Sequence, residues 1–119
     1  MNSKQKGDVG LGRAIGWFTG NGYTVSIPLT DSQDYDLVVE KEDVLSRVQV
    51  KAYSGRVIGL RIIGGHAGNN VVHRYGNALK YDILFGITSD GMFMIPKEKI
   101  NHITTAITPG RNWAQYRVT

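Results

Sequence analysis

The apolar residues near the beginning of the chain recur at every third or fourth position, which predicts an amphipathic helix. From Val9 onward, the residues of this pattern are Leu11, Ala14, Ile15, Trp17 and Phe18. The segment 20–22, Gly-Asn-Gly, is a typical helix stop. Asp8 comes directly before the pattern, where an N-cap or first-turn acid is expected. We therefore predict one helix that begins near Val9 and ends near residue 20.

The rest of the chain is dominated by short alternating or continuous apolar segments, which predict strands. These segments are 23–27, 35–40, 45–53, 56–63, 83–88, 92–95 and 100–107. In segment 45–53, Val48 and Val50 point to one side of the strand. The polar residues Arg47, Gln49 and Lys51 point to the other side. Residues 65–80 are polar and glycine-rich, and we predict a surface loop there.

Length and composition limit the class of protein. The chain has 119 residues, which predicts a single domain over residues 1–119. No apolar run is long enough to span a membrane, and the first residues lack the apolar segment of a secretory signal, so we expect a cytoplasmic protein. The absence of cysteine excludes disulfides, cysteine-bound zinc and thiol catalysis. One helix followed by many strands predicts an α/β or α+β fold with a mixed sheet.

Charge is distributed unevenly along the chain. Six of the ten acidic residues lie in residues 31–43, together with a single base, Lys41. The rest of the chain therefore carries thirteen bases and four acids. A basic surface attracts nucleic acid, although the same balance is also compatible with an ordinary solvated surface. Carboxylates inside a basic surface are suited to a metal ion that acts on phosphate.

One group of residues indicates chemistry. Asp36 precedes a predicted strand, and Gln49 and Lys51 lie two residues apart on one face of the next strand. If the two strands pair as a hairpin, these three side chains meet at one end of the sheet. Asp36, the Gln49 oxygen and the carbonyl of Val50 are then candidate ligands of Mg²⁺, which prefers oxygen. Lys51 is the candidate to orient or deprotonate the attacking water.

The ordered motifs of the chain resemble those of a known superfamily. They are Lys6-Gly7-Asp8-Val9-Gly10, Gly22-Tyr23-Thr24-Val25, Pro28, Tyr35-Asp36-Leu37-Val38-Val39, Val48-Gln49-Val50-Lys51, Tyr81-Asp82-Ile83-Leu84-Phe85, Met94-Ile95-Pro96, and Asn112-Trp113-Ala114 with Tyr116. This series resembles the PD-(D/E)XK nucleases, especially the branch of group I intron homing endonucleases and proteins related to Holliday junction resolvases. The resemblance covers most of the chain.

The resemblance implies a restriction-endonuclease-like mixed β-sheet core flanked by helices. It also implies a metal-dependent endonuclease that hydrolyses phosphodiester bonds of DNA, either duplex or a four-way junction, with Mg²⁺ as cofactor and Mn²⁺ as an alternative ion. Asp36, Gln49 and Lys51 occupy the catalytic motif. Because so small a protein covers little DNA, we expect a homodimer or homotetramer.

Two positions depart from the family pattern. Gln49 stands where the motif usually has a second carboxylate, although the branch with the QxK motif often has glutamine there. Leu11 stands where the first helix usually presents a glutamate to the metal, and Asp8, one turn earlier, is the candidate replacement. These departures leave open a weakly active or inactive DNA-binding module built on a nuclease scaffold. An interaction domain without a nucleic acid partner also fits the composition.

Four cationic or titratable residues are candidates for contact with DNA phosphates. They are Arg47, His73, Arg74 and Lys80. Three of them lie in or beside the predicted loop 65–80, and Arg47 lies on the same strand face as Gln49. Loop histidines are more often simply polar than functional, so His73 has the weakest claim of the four.

Overall fold

The computed structural model describes residues 1–67 and 70–119, and the side chains of residues 1–62 and 74–119. In these residues the helices are α1 (Ser3–Gly20) and α2 (Pro109–Asn112). The strands are β1 (Thr24–Ser26), β2 (Leu37–Lys41), β3 (Val44–Ala52), β4 (Ile58–Gly59), β5 (Ile62–Ala67), β6 (Asn70–Arg74), β7 (Ile83–Thr88), β8 (Gly91–Pro96), β9 (Ala106–Ile107) and β10 (Arg117–Val118). None of the described helices has the length and apolarity needed to cross a membrane.

Six strands form one mixed sheet in the order β1-β2-β3-β7-β8-β10. Strands β3 and β7 are parallel, and the other neighbours are antiparallel. Parallel neighbours need a crossover connection, which here contains β4, β5 and β6. Outside the main sheet, β4 pairs with β9 and β5 pairs with β6. The predicted mixed-sheet α+β architecture is confirmed.

Hydrophobic clusters cover both faces of this sheet. On one face, Ala14 and Phe18 of α1 pack in a buried cluster with Val48 of β3. On the other face, Leu84 of β7 packs in a cluster with Ile58 of β4. The crossover between β3 and β7 therefore lies on the face opposite α1.

Helix α1 begins six residues earlier than predicted. Asn2 is its N-cap and forms a capping box with Gln5, in which two reciprocal hydrogen bonds of 2.9 Å satisfy backbone and side-chain groups. Asp8 therefore lies inside the helix, and its predicted position at the N-cap or first turn is wrong. The end at Gly20 agrees with the prediction, and Gly22 follows with the positive φ of 86° that favours glycine.

Gly10 lies where α1 touches the sheet. A Cβ atom at Gly10 would lie 2.5 Å from the Cβ of Ala52, whereas a Cβ at Gly12 would have no atom within 4 Å. We expect Gly10→Ala to lower the free energy of unfolding by about 1–3 kcal/mol through overpacking. Gly12→Ala is the matched control, and we expect it to raise this free energy by about 0.5–1 kcal/mol. Urea unfolding of both variants checks the prediction, and equal effects would contradict it.

Two predicted segments have a different structure. Residues 65–80 were expected to form a loop, but they contain the end of β5, the whole of β6, which pairs with β5, and a 3₁₀ turn at Gly76–Ala78. Backbone pairing between adjacent segments does not require the apolar alternation that the prediction used. Segment 100–107 was expected to be a strand, but only β9 is extended, and the Ile103 N–H donates to the Ile100 carbonyl in a turn before it.

Candidate active site

The β2–β3 hairpin brings the three predicted catalytic residues together. The paired part of β2 begins at Leu37, opposite Val48, and the N–H of the preceding residue, Asp36, donates to the Val48 carbonyl at 2.8 Å. Gln49 and Lys51 alternate with Val48 along β3, so they share the face opposite α1. The charge of Lys51 acts on the Asp36 carboxyl, which lies beside β3 at this point.

Asp36 is half-buried and is fixed by the neighbouring strand. Its Oδ2 accepts a hydrogen bond of 2.8 Å from the Val50 N–H. Burial raises the pKa of the Asp36 carboxyl, and the Val50 N–H and the charge of Lys51 partly oppose this rise. Because burial disfavours the charged form of this carboxyl, a cation bound beside it would stabilise the carboxylate.

Lys51 is held by backbone oxygens from the crossover. Its Nζ donates to the Gly59 carbonyl at 2.7 Å and to the Arg61 carbonyl at 3.0 Å. Burial lowers the pKa of the Lys51 ammonium, and the negative charge of Asp36 partly opposes this fall. These two acceptors could not be predicted from residue types, because every residue carries a backbone carbonyl whatever its side chain.

The backbone of Val50 also contributes to this site. The register of β2 against β3 stops at Leu37 with Val48, so no β2 residue stands opposite Val50. The Val50 N–H instead donates to the Asp36 carboxylate, and the Val50 carbonyl points toward the same edge of β3. The Gln49 Nε2 lies 3.5 Å from this carbonyl oxygen. Rotation of the Gln49 side-chain amide by 180° exchanges its oxygen with its nitrogen and so places the oxygen beside the Val50 carbonyl, since the two ends of an amide have nearly the same shape.

These donors fit a hard divalent ion. They are the Asp36 carboxylate, the Val50 carbonyl oxygen and the Gln49 amide oxygen, all of which suit Mg²⁺. Among the described residues there is no cluster of three or more His, Asp or Glu side chains. A single carboxylate is sufficient for an ion that keeps several waters and shares a substrate phosphate, as Mg²⁺ commonly does.

Asp8, the fourth predicted metal ligand, lies on a different element. It is exposed on α1, and this helix packs on the sheet face opposite Asp36. No contact of the described residues joins Asp8 to the site, and its role as a ligand stays a prediction. Leu11 is partly buried and packs against the same cluster as Ala14, so it is part of the core.

Two of the residues predicted to bind DNA lie beside the site. Arg47 pairs with Asp82 at 3.1 Å, and its own N–H donates to the same carboxylate at 2.8 Å. Lys80 is exposed, and its Nζ lies 3.3 Å from the Asn77 carbonyl oxygen. Both line one groove, which lies where β7 begins and also contains Asp82.

The other two residues predicted to bind DNA, Arg74 and His73, do not line this groove in the described part of the chain. Both terminal nitrogens of Arg74 donate to Asp34, whose side chain is only 5% exposed. The Lys80 N–H donates to the same carboxylate at 2.9 Å. The side chain of His73 lies outside the described residues.

Similarity to known proteins identifies the family of this chain. The model of the family described as PD-(D/E)XK endonuclease matches residues 1–109, and the chain belongs to this family. Among solved structures, the chain is similar to a bacterial homing endonuclease, I-Ssp6803I, with a TM-score of 0.74 and 26% identity over 90% of this chain and 77% of that one. A search of curated proteins found no match.

Family membership has consequences for class and substrate. It identifies the chain as a nuclease and implies that DNA is the substrate. Nucleases of this family generally use divalent metal ions. The structural similarity confirms the predicted restriction-endonuclease-like sheet core.

Proposed function

We propose that this protein is a divalent-metal-dependent DNA endonuclease of the homing type, with Mg²⁺ as its ion. The observation that carries the proposal is that the Asp36 carboxyl meets β3 beside Gln49 and Lys51 where β2 begins. The homing type is favoured because a solved structure similar to this chain is that of a homing endonuclease.

In this proposal, each group at the site has a separate task. Asp36, with the Val50 carbonyl and the Gln49 oxygen, would hold the ion. The bound ion would supply Lewis-acid stabilisation of the phosphate and of the attacking oxygen. Lys51, whose ammonium is already held by two carbonyls, would orient the attacking water and stabilise charge that develops on the phosphate. Because these donors are fixed before substrate arrives, little reorganisation is needed during the reaction.

A second candidate is a DNA-binding module without activity on the same scaffold. It is favoured by Leu11, which packs in the core at the position where the resemblance leads us to expect a metal-binding glutamate. It is also favoured by the absence, in the described part of the chain, of any group of three or more His, Asp or Glu side chains that could hold a metal ion.

One set of cleavage assays separates these functions. The substrates are a supercoiled plasmid library with random inserts and a labelled four-way junction, each with Mg²⁺, with Mn²⁺ or with chelator. We expect metal-dependent double-strand cuts at recurring sequences, lost in Asp36→Asn. Cutting confined to the junction would instead make the protein a junction-resolving enzyme, and binding without any cutting would leave the inactive module.

We also propose that the active form is a homodimer or homotetramer. A double-strand cut needs two active sites, and each chain of 119 residues supplies one such centre. Light scattering on the protein alone and on its DNA complex tests this proposal, and a monomer in both samples would contradict it.

A further inference from the structure

A groove beside Arg47 of β3, where β7 begins and β8 ends, continues the face that carries the candidate active site. It has a volume of about 640 Å³, and its polar lining consists mainly of Arg47, Asn77, Lys80, Asp82, Lys97 and Asn101. Arg47 precedes Gln49 by two residues and shares its side of the strand, so the two Cα atoms are about 7 Å apart. The groove therefore begins two residues along β3 from the site.

Cations from three separate elements meet in this groove. Arg47 belongs to β3, Lys80 precedes β7, and Lys97 begins the 3₁₀ turn that follows β8. Lys97 was not among the residues predicted to contact DNA. The sheet order β3-β7-β8 places Arg47 next to the beginning of β7 and the end of β8, although Lys97 is fifty residues from Arg47 in sequence.

The acids of the groove do not neutralise these cations. Asp82 is paired with Arg47, which lowers the pKa of the Asp82 carboxyl, and the other acid of the lining, Glu98, is exposed. In the part of the chain with described side chains, neither Lys80 nor Lys97 has a carboxylate within 4.0 Å. Burial lowers the pKa of the Lys97 ammonium, and repulsion from Lys80 and Arg47 lowers it further, whereas the charges of Asp82 and Asp34 partly oppose this fall. An anion bound between these groups would relieve that repulsion.

The cations are also held in place before any ligand binds. The Lys97 N–H donates to the Asp82 carbonyl at 2.9 Å, and its Nζ lies 5.6 Å from the centre of the Tyr81 ring. The Tyr81 side chain is buried in the core cluster, so this ring is a fixed support. The Lys80 backbone is tied to buried Asp34.

We propose that this groove binds the phosphates of the DNA strand that flank the bond to be cut, with Lys97 as a contact that the sequence did not reveal. The inference rests on the proposed function, because it takes DNA as the ligand. Contacts of this kind fix the position of the strand and are independent of sequence. The groove would thus hold one strand in register with Asp36 and Lys51.

The test compares two lysines of the same 3₁₀ turn. Lys97 lines the groove, whereas Lys99 is exposed outside it. Binding of a fluorescent random-sequence duplex is measured in chelator, where metal-dependent cutting is prevented, between about 50 and 200 mM salt. We expect Lys97→Ala to reduce the slope of log K against log salt by about 0.9 and Lys99→Ala to leave it unchanged. Lys97→Arg should keep the native slope, and thermal melts check that each variant is folded.

The outcomes separate this inference from the proposed function. Equal slopes for Lys97→Ala and Lys99→Ala would overturn the proposal that the groove binds DNA phosphates, even if the native protein cuts DNA. A reduced slope in Lys97→Ala alone would support phosphate binding by the groove, even if no cutting is found. A native protein that does not bind duplex at low salt would overturn both.

Discussion

Lys51→Ala should lower the rate of DNA cleavage by about 10²–10⁴-fold, the range for a positioned group that assists proton transfer or stabilises charge. The effect should fall on the chemical step, because the Lys51 Nζ is held inward by the Gly59 and Arg61 carbonyls. Duplex affinity in chelator should change much less than the rate. Single-turnover cleavage at saturating protein measures the step directly.

A second substitution distinguishes chemistry from packing. Lys51→Met keeps the length of the side chain in its half-buried position but removes the charge and the donors. We expect it to be as inactive as Lys51→Ala while melting closer to the native protein. Lys41→Ala is the control for loss of a lysine from the same hairpin, since Lys41 lies on β2 and its Nζ bonds to the Asn21 carbonyl. Cleavage by Lys51→Met at the native rate would remove Lys51 from the mechanism.

The hairpin of the site could be predicted because its pattern is local. Alternation along β2 and β3 defines which side chains share a face, and once the strands pair, Asp36 must lie at the end of the hairpin beside Val48 and Gln49. The ribbon of β5 and β6 could not be predicted in this way. Its glycine, asparagine and histidine residues show no alternation, and its stability comes from pairing with an adjacent segment.

Other parts of the site depend on long-range contacts or on the backbone. The acceptors of Lys51 are carbonyls, which no residue type signals. Lys97 approaches Arg47 only because β8 lies two strands from β3 in the sheet. Asp34 belonged to an acidic segment that suggested metal binding, yet its carboxylate is used to hold Arg74 and the Lys80 N–H. Charge counted along the chain therefore indicated where acids occur but not what each one contacts.

The ion pair of Arg74 with Asp34 should be a main source of stability where β6 ends. Removing the Arg74 side chain and removing the Asp34 charge should lower the free energy of unfolding by different amounts. Arg74→Leu would leave a carboxylate with a 5% exposed side chain without its cation, and we expect a loss of about 3–5 kcal/mol in the free energy of unfolding. Asp34→Asn keeps an acceptor for the Lys80 N–H, and the Arg74 side chain, 36% exposed, is able to turn to water. We therefore expect a loss of about 1–3 kcal/mol for Asp34→Asn. Urea unfolding gives both values.

The double variant Asp34→Asn with Arg74→Leu provides the decisive comparison. Because the two side chains contact each other, its loss should be smaller than the sum of the single losses by about 1–3 kcal/mol. Additive losses would contradict the pairing. The variant Arg74→Leu also tests the sequence prediction that Arg74 contacts a DNA phosphate. If Arg74 contacts a phosphate, Arg74→Leu should lower the slope of log K against log salt for DNA binding by about 0.9. If both terminal nitrogens of Arg74 stay bonded to Asp34, this slope should be unchanged. If the slope is unchanged and stability falls, Arg74 acts by fixing the end of β6 to the segment that leads into Asp36.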